Sequence, residues 1–223
     1  MKNIKAIIIA MTLFFTLNHL SAQTIINNDP DVNNRVYLRT GIEPATMLTL
    51  GYERKFDVGF LNQNIVGFAE FGSSVANFSN NDFKVGGILP VFEKGKFKIV
   101  NNLNVSAGSM SAKNFDSKRF AAADEVAFGI YGAKRFVAFT AEYENILLNK
   151  IEHSDFYKET YFEDAVDGWY KGAGGRFQLG IEGGVTVKKK LDAHLEIKLP
   201  FTEKFNSYRG SPMHVNLGIA YRF

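Results

Sequence analysis

The residue types best suited to chemistry in this chain lie on its last two alternating segments. His194 lies between Asp192 and Glu196, and His214 follows on the final segment. A histidine beside carboxylates can relay protons, and a pair of histidines can contribute to a metal site. The two histidines have no fixed ligand spacing, so we interpret them as hydrogen-bonded structural groups. We predict no metal site.

A second candidate is the run Glu152-His153-Ser154-Asp155, which holds an acid, a base and a hydroxyl together. Adjacent side chains of an extended strand point in opposite directions, so this run does not form a catalytic triad by itself. An enzyme that acts on lipid remains a minor alternative. We predict a protein without enzymatic activity and without a cofactor.

The segment 150–173 is both acidic and aromatic. Carboxylates and aromatic rings in a long loop can recognise a glycan, a protein or a divalent cation, although no EF-hand spacing is present. The alternative is an aromatic girdle at a membrane interface with a solvated acidic tip. The residues that would contact a surface ligand are Asp155, Tyr157, Tyr161, Trp169 and Tyr170.

Charged residues of both signs recur at alternate positions along the rest of the chain. In a narrow interior such charges must pair, because an unpaired buried charge is costly. The alternative is a narrow polar pore. The predicted network consists of Arg35, Arg39, Glu53, Lys55, Lys84, Lys98, Glu142, Glu144, Arg176, Glu182, His194, Glu196, Lys198, His214 and Arg222.

The elements that must position these charges are β-strands, because apolar and polar residues alternate with a period of two. About ten strands are predicted, and eight or twelve also fit the pattern. Pro90 should lie at a strand end or a bulge, since it lacks a ladder donor. The predicted strands are residues 35–42, 47–56, 63–73, 83–92, 97–109, 125–132, 136–147, 174–187, 191–201 and 213–223.

The connections between these strands alternate in length. Short basic or glycine-containing turns fall at 94–96, 134–135 and 188–190, whereas longer polar loops fall at 111–123 and 150–173. Such asymmetry is typical of a membrane barrel with short periplasmic turns and long extracellular loops, and an even strand number places both termini in the periplasm.

The final segment carries the most specific resemblance. Its apolar residues, from Met213 through Leu217 to Phe223, fall on one face of a strand that ends on an aromatic residue. This resembles the closing strand of small bacterial outer-membrane β-barrel proteins, in which such an ending is the assembly signal. The resemblance implies an all-β, up-and-down antiparallel transmembrane barrel over residues 35–223. It assigns the signal to Tyr221 and Phe223, read by the barrel assembly machinery.

Periodicity alone does not separate a membrane barrel from a soluble, lipocalin-like one whose apolar face points inward. The Gly, Ala, Ser and Thr among the charges suit a crowded interior, and a closed barrel satisfies its backbone groups in lipid. The chain does not match the His-x-Ser pattern of the lipid A deacylase family or the paired acidic groups of the omptins. The favoured function is therefore structural or surface interaction, with a small ion or solute channel as the alternative.

The first residues are typical of a secretory signal peptide. Lys2 and Lys5 form a basic region, residues 6–17 are apolar or Thr, and small residues favour cleavage after Ala22. The Ser-Ala-Gln ending resembles signal peptides of Bacteroidota. We therefore expect a signal peptide at 1–22, a periplasmic lead-in at 23–34 and a Gram-negative outer-membrane location, with outer-membrane lipid as a partner.

Composition narrows the remaining classes. The chain of 223 residues has no cysteine, which excludes disulfides, thiolate metal sites and a cysteine-linked lipid anchor. Its net charge of +3 comes from interleaved acidic and basic residues, so we predict no nucleic-acid partner.

Overall fold

The computed structural model describes residues 32–43, 45–58, 63–75, 78–172, 174–188, 190–202 and 213–223. The predicted signal peptide and residues 23–31 of the lead-in lie outside this part of the chain. The described elements are β1 (Asn34–Glu43), β2 (Ala45–Val58), β3 (Gln63–Ser74), β4 (Asn81–Lys94), β5 (Phe97–Ser111), β6 (Phe115–Tyr131), β7 (Arg135–His153), α1 (Asp155–Thr160), β8 (Gly168–Lys171), β9 (Gly175–Lys188), β10 (Leu191–Thr202) and β11 (His214–Arg222).

These strands close into one antiparallel barrel. Each strand pairs with its neighbour along the chain, and β1 pairs with β11 from Arg35–Arg222 to Ile42–Val215. The first part of β7 pairs with β9 and its last part pairs with the short β8, so β8 and β9 together occupy one position in the wall. The prediction of ten strands is confirmed. Within the described residues, no helix is both long and apolar enough to cross a membrane.

The barrel is apolar outside and charged inside. On β2, Leu50 is 56% exposed on the outer face whereas Glu53, on the inner face, is 8% exposed. On β11, Leu217 and Ile219 are exposed while His214 and Arg222 are buried. This is the inverse of a soluble barrel, in which the apolar face fills the interior, and it confirms the predicted orientation of the alternating faces.

The two ends of the barrel differ. At the end that we call the terminal end, Asn34 and Phe223 exchange backbone hydrogen bonds of 3.1 and 3.0 Å. The β4–β5, β6–β7 and β9–β10 connections also lie at this end, at residues 95–96, 132–134 and 189–190, and all are short. The opposite, loop end carries the long connection between β7 and β9.

Strands extend into two of the predicted loops. The predicted loop at 111–123 is wrong, because β6 begins at Phe115 and a tight turn joins it to β5 through a bond from Ala112 N to Phe115 O of 2.9 Å. The loop predicted at 150–173 is shorter for the same reason, since β7 continues to His153 and β8 runs antiparallel to its end. Polar residues on both faces of these strand ends hide the period of two.

The bulge predicted at Pro90 is confirmed. The register of β4 against β5 shifts between Pro90 and Phe92, so that Val91 has no partner residue. Val91 and Phe92 are consequently both exposed on the outer face. Proline has no backbone N–H to donate to the neighbouring strand, and the bulge accommodates Pro90 at a point where the regular hydrogen-bond pattern is already interrupted.

Candidate functional site: the lumen and the loop-end hairpin

One side of the lumen is organised by Glu70 on β3. Tyr37 Oη donates a hydrogen bond of 2.5 Å to one carboxylate oxygen, and Arg39 lies 2.8 Å from the other. The ring of Tyr37 lies across Gly51, where a Cβ atom would be only 2.1 Å from it. Glycine at this position therefore makes room for the tyrosine that reaches Glu70.

The most highly charged group surrounds Lys198 on β10. Its Nζ atom lies 2.5 Å from Glu125, 2.6 Å from Glu142 and 2.7 Å from Glu196. These carboxylates come from β6, β7 and β10, so Lys198 joins strands that are not neighbours in the wall. Three carboxylates therefore share this ammonium group.

Further ion pairs fill both sides of this centre. Towards the loop end, Arg119 lies 3.4 Å from Asp82 and 3.5 Å from Glu144, and Arg176 lies 3.2 Å from Glu144. Towards the terminal end, the pairs are Arg35–Glu53 at 3.0 Å, Arg222–Asp192 at 3.0 Å and Lys98–Glu93 at 3.1 Å. Thr186 Oγ1 donates a hydrogen bond of 2.5 Å to Asp192.

The remaining predicted lumen residues also lie inside. Lys84 and Glu182 line the lumen, and Tyr131 Oη lies 3.5 Å from Glu182. Lys55 lies on the inner face opposite buried Val66. His214 is 2% exposed, and the His194 ring occupies the space over Gly218, where a Cβ atom would lie 2.2 Å from the ring.

The terminal end of the lumen is closed by apolar side chains, which we call the apolar plug: Val32, Val66, Ile88, Val100, Ala127, Tyr131, Phe136 and Ala138. Tyr131 and Phe136 stack with ring centroids 5.3 Å apart. Val32 belongs to the lead-in rather than to a strand, so the chain ahead of β1 contributes to the closure. Above the plug, a cavity of about 260 Å³ runs between the ion pairs.

Several residues of this network were absent from the sequence prediction. Asp82 and Arg119 were assigned to loops, because the strand ends that carry them are polar on both faces. Tyr37 and Gln178 lie on predicted polar faces, but neither carries a charge. Alternation could have identified them as inward-facing, since it applies to every residue of a strand.

The strands that carry the longest connection extend past the apolar band. On the outer face, Phe120 of β6 and Leu148 of β7 form the last apolar pair. The next outer pairs are Lys118 with Lys150 and Asp116 with Glu152, and Lys150 also bonds Glu152. Four charged residues side by side mark the point where this hairpin leaves an apolar environment. We call residues 148–171 the loop-end hairpin.

The tip of the loop-end hairpin is ordered around Asp167. Asp167 Oδ1 accepts a hydrogen bond of 2.8 Å from the backbone N–H of His153 and lies 2.9 Å from its ring Nδ1. Lys158 binds the other oxygen at 2.6 Å. The backbone N–H of His153, the Lys158 ammonium and the His153 ring hold the pKa of Asp167 well below its usual range. The hydrogen bond to Asp167 likewise raises the pKa of Lys158.

Local capping explains the helix inside this tip. The Ser154 side chain accepts a hydrogen bond of 3.2 Å from the Tyr157 backbone N–H, which makes Ser154 the N-cap of α1. The Ser154 hydroxyl therefore caps the N-terminus of α1. Asp155 lies in the first turn, where a negative charge stabilises the helix dipole.

The tip presents aromatic side chains to solvent. Tyr157 stacks on His153 at 5.1 Å, and Tyr170 donates a hydrogen bond of 2.5 Å to the Val166 carbonyl. Tyr161, Phe162 and Trp169 are each more than half exposed. Of the predicted contact residues, Asp155, Tyr161 and Trp169 are exposed, whereas Tyr157 is half-buried and packs inside the tip.

Comparisons with known proteins give likenesses of fold. No protein-family model matches the chain, and no curated protein matches it significantly. Among solved structures, the KdgM porin matches over 85% of this chain and 99% of its own, with 8% identity and a TM-score of 0.39. The outer membrane protease OmpT from Escherichia coli covers 87% and 98%, with 10% identity and a TM-score of 0.46. The NanC porin covers 84% and 100%, with 7% identity and a TM-score of 0.40.

Proposed function

We propose that this protein is an integral barrel of the bacterial outer membrane and that it works through its loop-end hairpin rather than through its lumen. The observation that carries the proposal is the change of the outer face at Lys118, Lys150 and their neighbours. Below them the outer face is predominantly apolar, as hydrocarbon requires, and above them it is charged. The aromatic tip consequently stands in water outside the membrane and is not a membrane girdle.

The tip has the properties of a recognition surface. Its backbone is held by Asp167, so the exposed rings of Tyr161 and Trp169 lie on an ordered segment. Exposed rings on an ordered loop lose little conformational entropy when they bind. The ligand is an extracellular molecule that contacts aromatic and acidic groups.

The lumen supports the same proposal. Ion pairs and residues of the apolar plug line a cavity of about 260 Å³ in the interior. A small ion channel is the second candidate, favoured by the excess of carboxylates around Lys198. We place it second because the apolar plug lies between this cavity and the terminal end.

Two assignments from the sequence remain part of the proposal. The first is cleavage of the signal peptide, together with its likeness to those of Bacteroidota. The second is recognition of the last strand by the assembly machinery. Tyr221 and Phe223 are exposed on the outer face with their rings 6.2 Å apart, a position in which another protein can reach them.

Single cysteines test the location, because the natural chain has none. We expect Tyr161→Cys to react with a membrane-impermeant maleimide on intact cells. Lys134→Cys, in a turn at the terminal end, should react only after the outer membrane is permeabilised. Equal labelling of both variants on intact cells, or recovery of the folded protein in the soluble fraction, would overturn the proposal.

The single tryptophan then reports on binding. Trp169 is 61% exposed, so a ligand that covers the tip should shift its fluorescence. Soluble surface polysaccharide and secreted protein fractions from the source cells are the probes, and the matched control is Tyr161→Ser/Phe162→Ser. A shift that persists in this variant would mean that the rings of Tyr161 and Phe162 take no part in the binding.

A further inference from the structure

Asp124 is a carboxyl residue on the outer face of the barrel, within the apolar band. Its cross-strand partners are Leu103 on β5 and Tyr143 on β7, which are both exposed. Its neighbours along β6, Ala123 and Glu125, point into the lumen. On the proposed location the side chain therefore faces the membrane interior, where an ionisable group is costly and marks a functional contact.

Asn101 on β5 forms a hydrogen bond with this carboxyl group. Its Nδ2 atom donates a hydrogen bond of 2.5 Å to Asp124 Oδ1 and another of 3.4 Å to the Glu125 carbonyl. In the part of the chain that the structure describes, no hydrogen bond reaches Asp124 Oδ2 or Asn101 Oδ1. A protonated carboxyl group has one O–H donor and an amide oxygen is an acceptor, so a reciprocal pair of hydrogen bonds is open to Oδ2–H and the amide oxygen.

The surface around this pair allows close approach. Three small residues lie on the same outer face near Asp124 and Asn101. Ala122 is two residues before Asp124 on β6, Ala141 is two residues before Tyr143 on β7, and Gly87 on β4 is the cross-strand partner of Leu103. A Cβ atom at Gly87 would meet nothing nearer than 4.0 Å. Small residues around a hydrogen-bonding group are typical of contacts between membrane-spanning elements, because they let two backbones come close.

We propose that this face, which we call the Asp124 face (Gly87, Asn101, Ala122, Asp124 and Ala141), binds a second copy of the chain. Two copies related by a two-fold axis along the membrane normal have each residue at the same depth in the membrane. Such an axis also brings the same surface of both copies into contact. The donor Oδ2–H of one Asp124 then meets the acceptor Oδ1 of the other copy's Asn101, and the reciprocal bond forms. A lipid chain has no group that could satisfy either atom. This inference rests on the proposed membrane location.

Disulfide trapping in isolated outer membranes tests the interface. We expect Ala122→Cys to give an oxidised homodimer, whereas Leu38→Cys, on the outer face of β1 across the barrel, should remain monomeric. Adding Asn101→Leu or Asp124→Leu to Ala122→Cys should remove the dimer, through an association weaker by about tenfold for each lost hydrogen bond. Heat-modifiable migration on gels checks that every variant is folded.

The outcomes separate the interface from the location. A folded, membrane-inserted protein whose Ala122→Cys variant cross-links no more than Leu38→Cys overturns the interface and leaves the location intact. A cross-linked product whose mass is not twice that of the chain means that another protein covers this face, which also overturns the proposal. Recovery in the soluble fraction would overturn the location itself.

Discussion

At the scale of single residues, the lumen depends on Lys198. We expect Lys198→Met to destabilise the barrel by about 3–5 kcal/mol, because three carboxylates would lose the cation that they share. The measurement is the urea midpoint of the refolded protein in detergent micelles. Changing Glu125 and Glu142 to Gln in the same variant should recover much of the loss, since Glu196 is then the one carboxylate of the three that still lacks the Lys198 ammonium.

The matched control for this prediction is Lys118→Met. Lys118 is an exposed lysine on the outer face of the loop-end hairpin, so its loss should change stability by no more than about 0.5 kcal/mol. If the two methionine variants unfold at the same urea concentration, Lys198 does not hold the carboxylates together as the distances indicate.

The order of the hairpin tip should depend on pH through Asp167. The pKa of Asp167 is lower in the folded tip than its ordinary value of about 3.9. Its ionised form therefore stabilises the tip fully above about pH 3.9, and this stabilisation is lost as the pH falls through the pKa of the folded state. The raised pKa of Lys158 means that its contribution persists until the pH rises above about 10.4. Hydrogen exchange of α1 should therefore be slowest, relative to the unfolded chain, between these limits.

Asp167→Asn tests the same contact at constant pH. The amide removes the charge that holds His153 and Lys158, so exchange within α1 should become faster at neutral pH while the barrel strands stay protected. Asp164→Asn is the control, because Asp164 is an exposed acid of the same tip. Equal protection of α1 in both variants would contradict the role of Asp167.

At the scale of elements, alternation in the sequence predicted the strands wherever one face is apolar. It identified β10 closely, because every second residue from Leu191 to Leu199 is apolar or Ala. It failed at the start of β6, where Asp116, Lys118 and Arg119 make both faces polar. The partners of the charges were also unpredictable, because Lys198 meets Glu125 across the lumen and not along a strand.

The pairing of the strands predicts which part of the loop-end hairpin is dispensable for assembly of the barrel. Replacing residues 155–166 by a short Gly-Asn turn should leave barrel assembly unchanged, since β7 pairs with β9 from Arg135–Val185 to Asn145–Gly175, away from the tip. Heat-modifiable migration and membrane recovery are the measurements. Failure of this variant to assemble would mean that the tip takes part in folding the barrel.

At the scale of the whole molecule, the closed interior and the apolar exterior have to be considered together. An apolar outer face gives the barrel a place in lipid. Among the residues that the structure describes, the ion pairs and the apolar plug leave no wide path for water through the lumen. We therefore expect the refolded mature protein to insert into planar bilayers without conductance steps. Regular open steps in the natural protein would instead favour the channel, with the carboxylates around Lys198 as its selectivity determinants.

Truncating side chains of the apolar plug should test whether the lumen above it can conduct ions. The stacked rings of Tyr131 and Phe136 fill the terminal end, and truncating both to alanine removes the largest side chains of the plug. We expect small conductance steps from this double variant, with a reversal potential that favours cations, because the residues that line the cavity include more carboxylates than lysines and arginines. Val137→Ala/Phe139→Ala, on the outer face of β7, is the control and should stay silent. A silent but inserted plug variant would show that the ion pairs alone close the lumen, and would favour the loop-end hairpin over the channel as the basis of function.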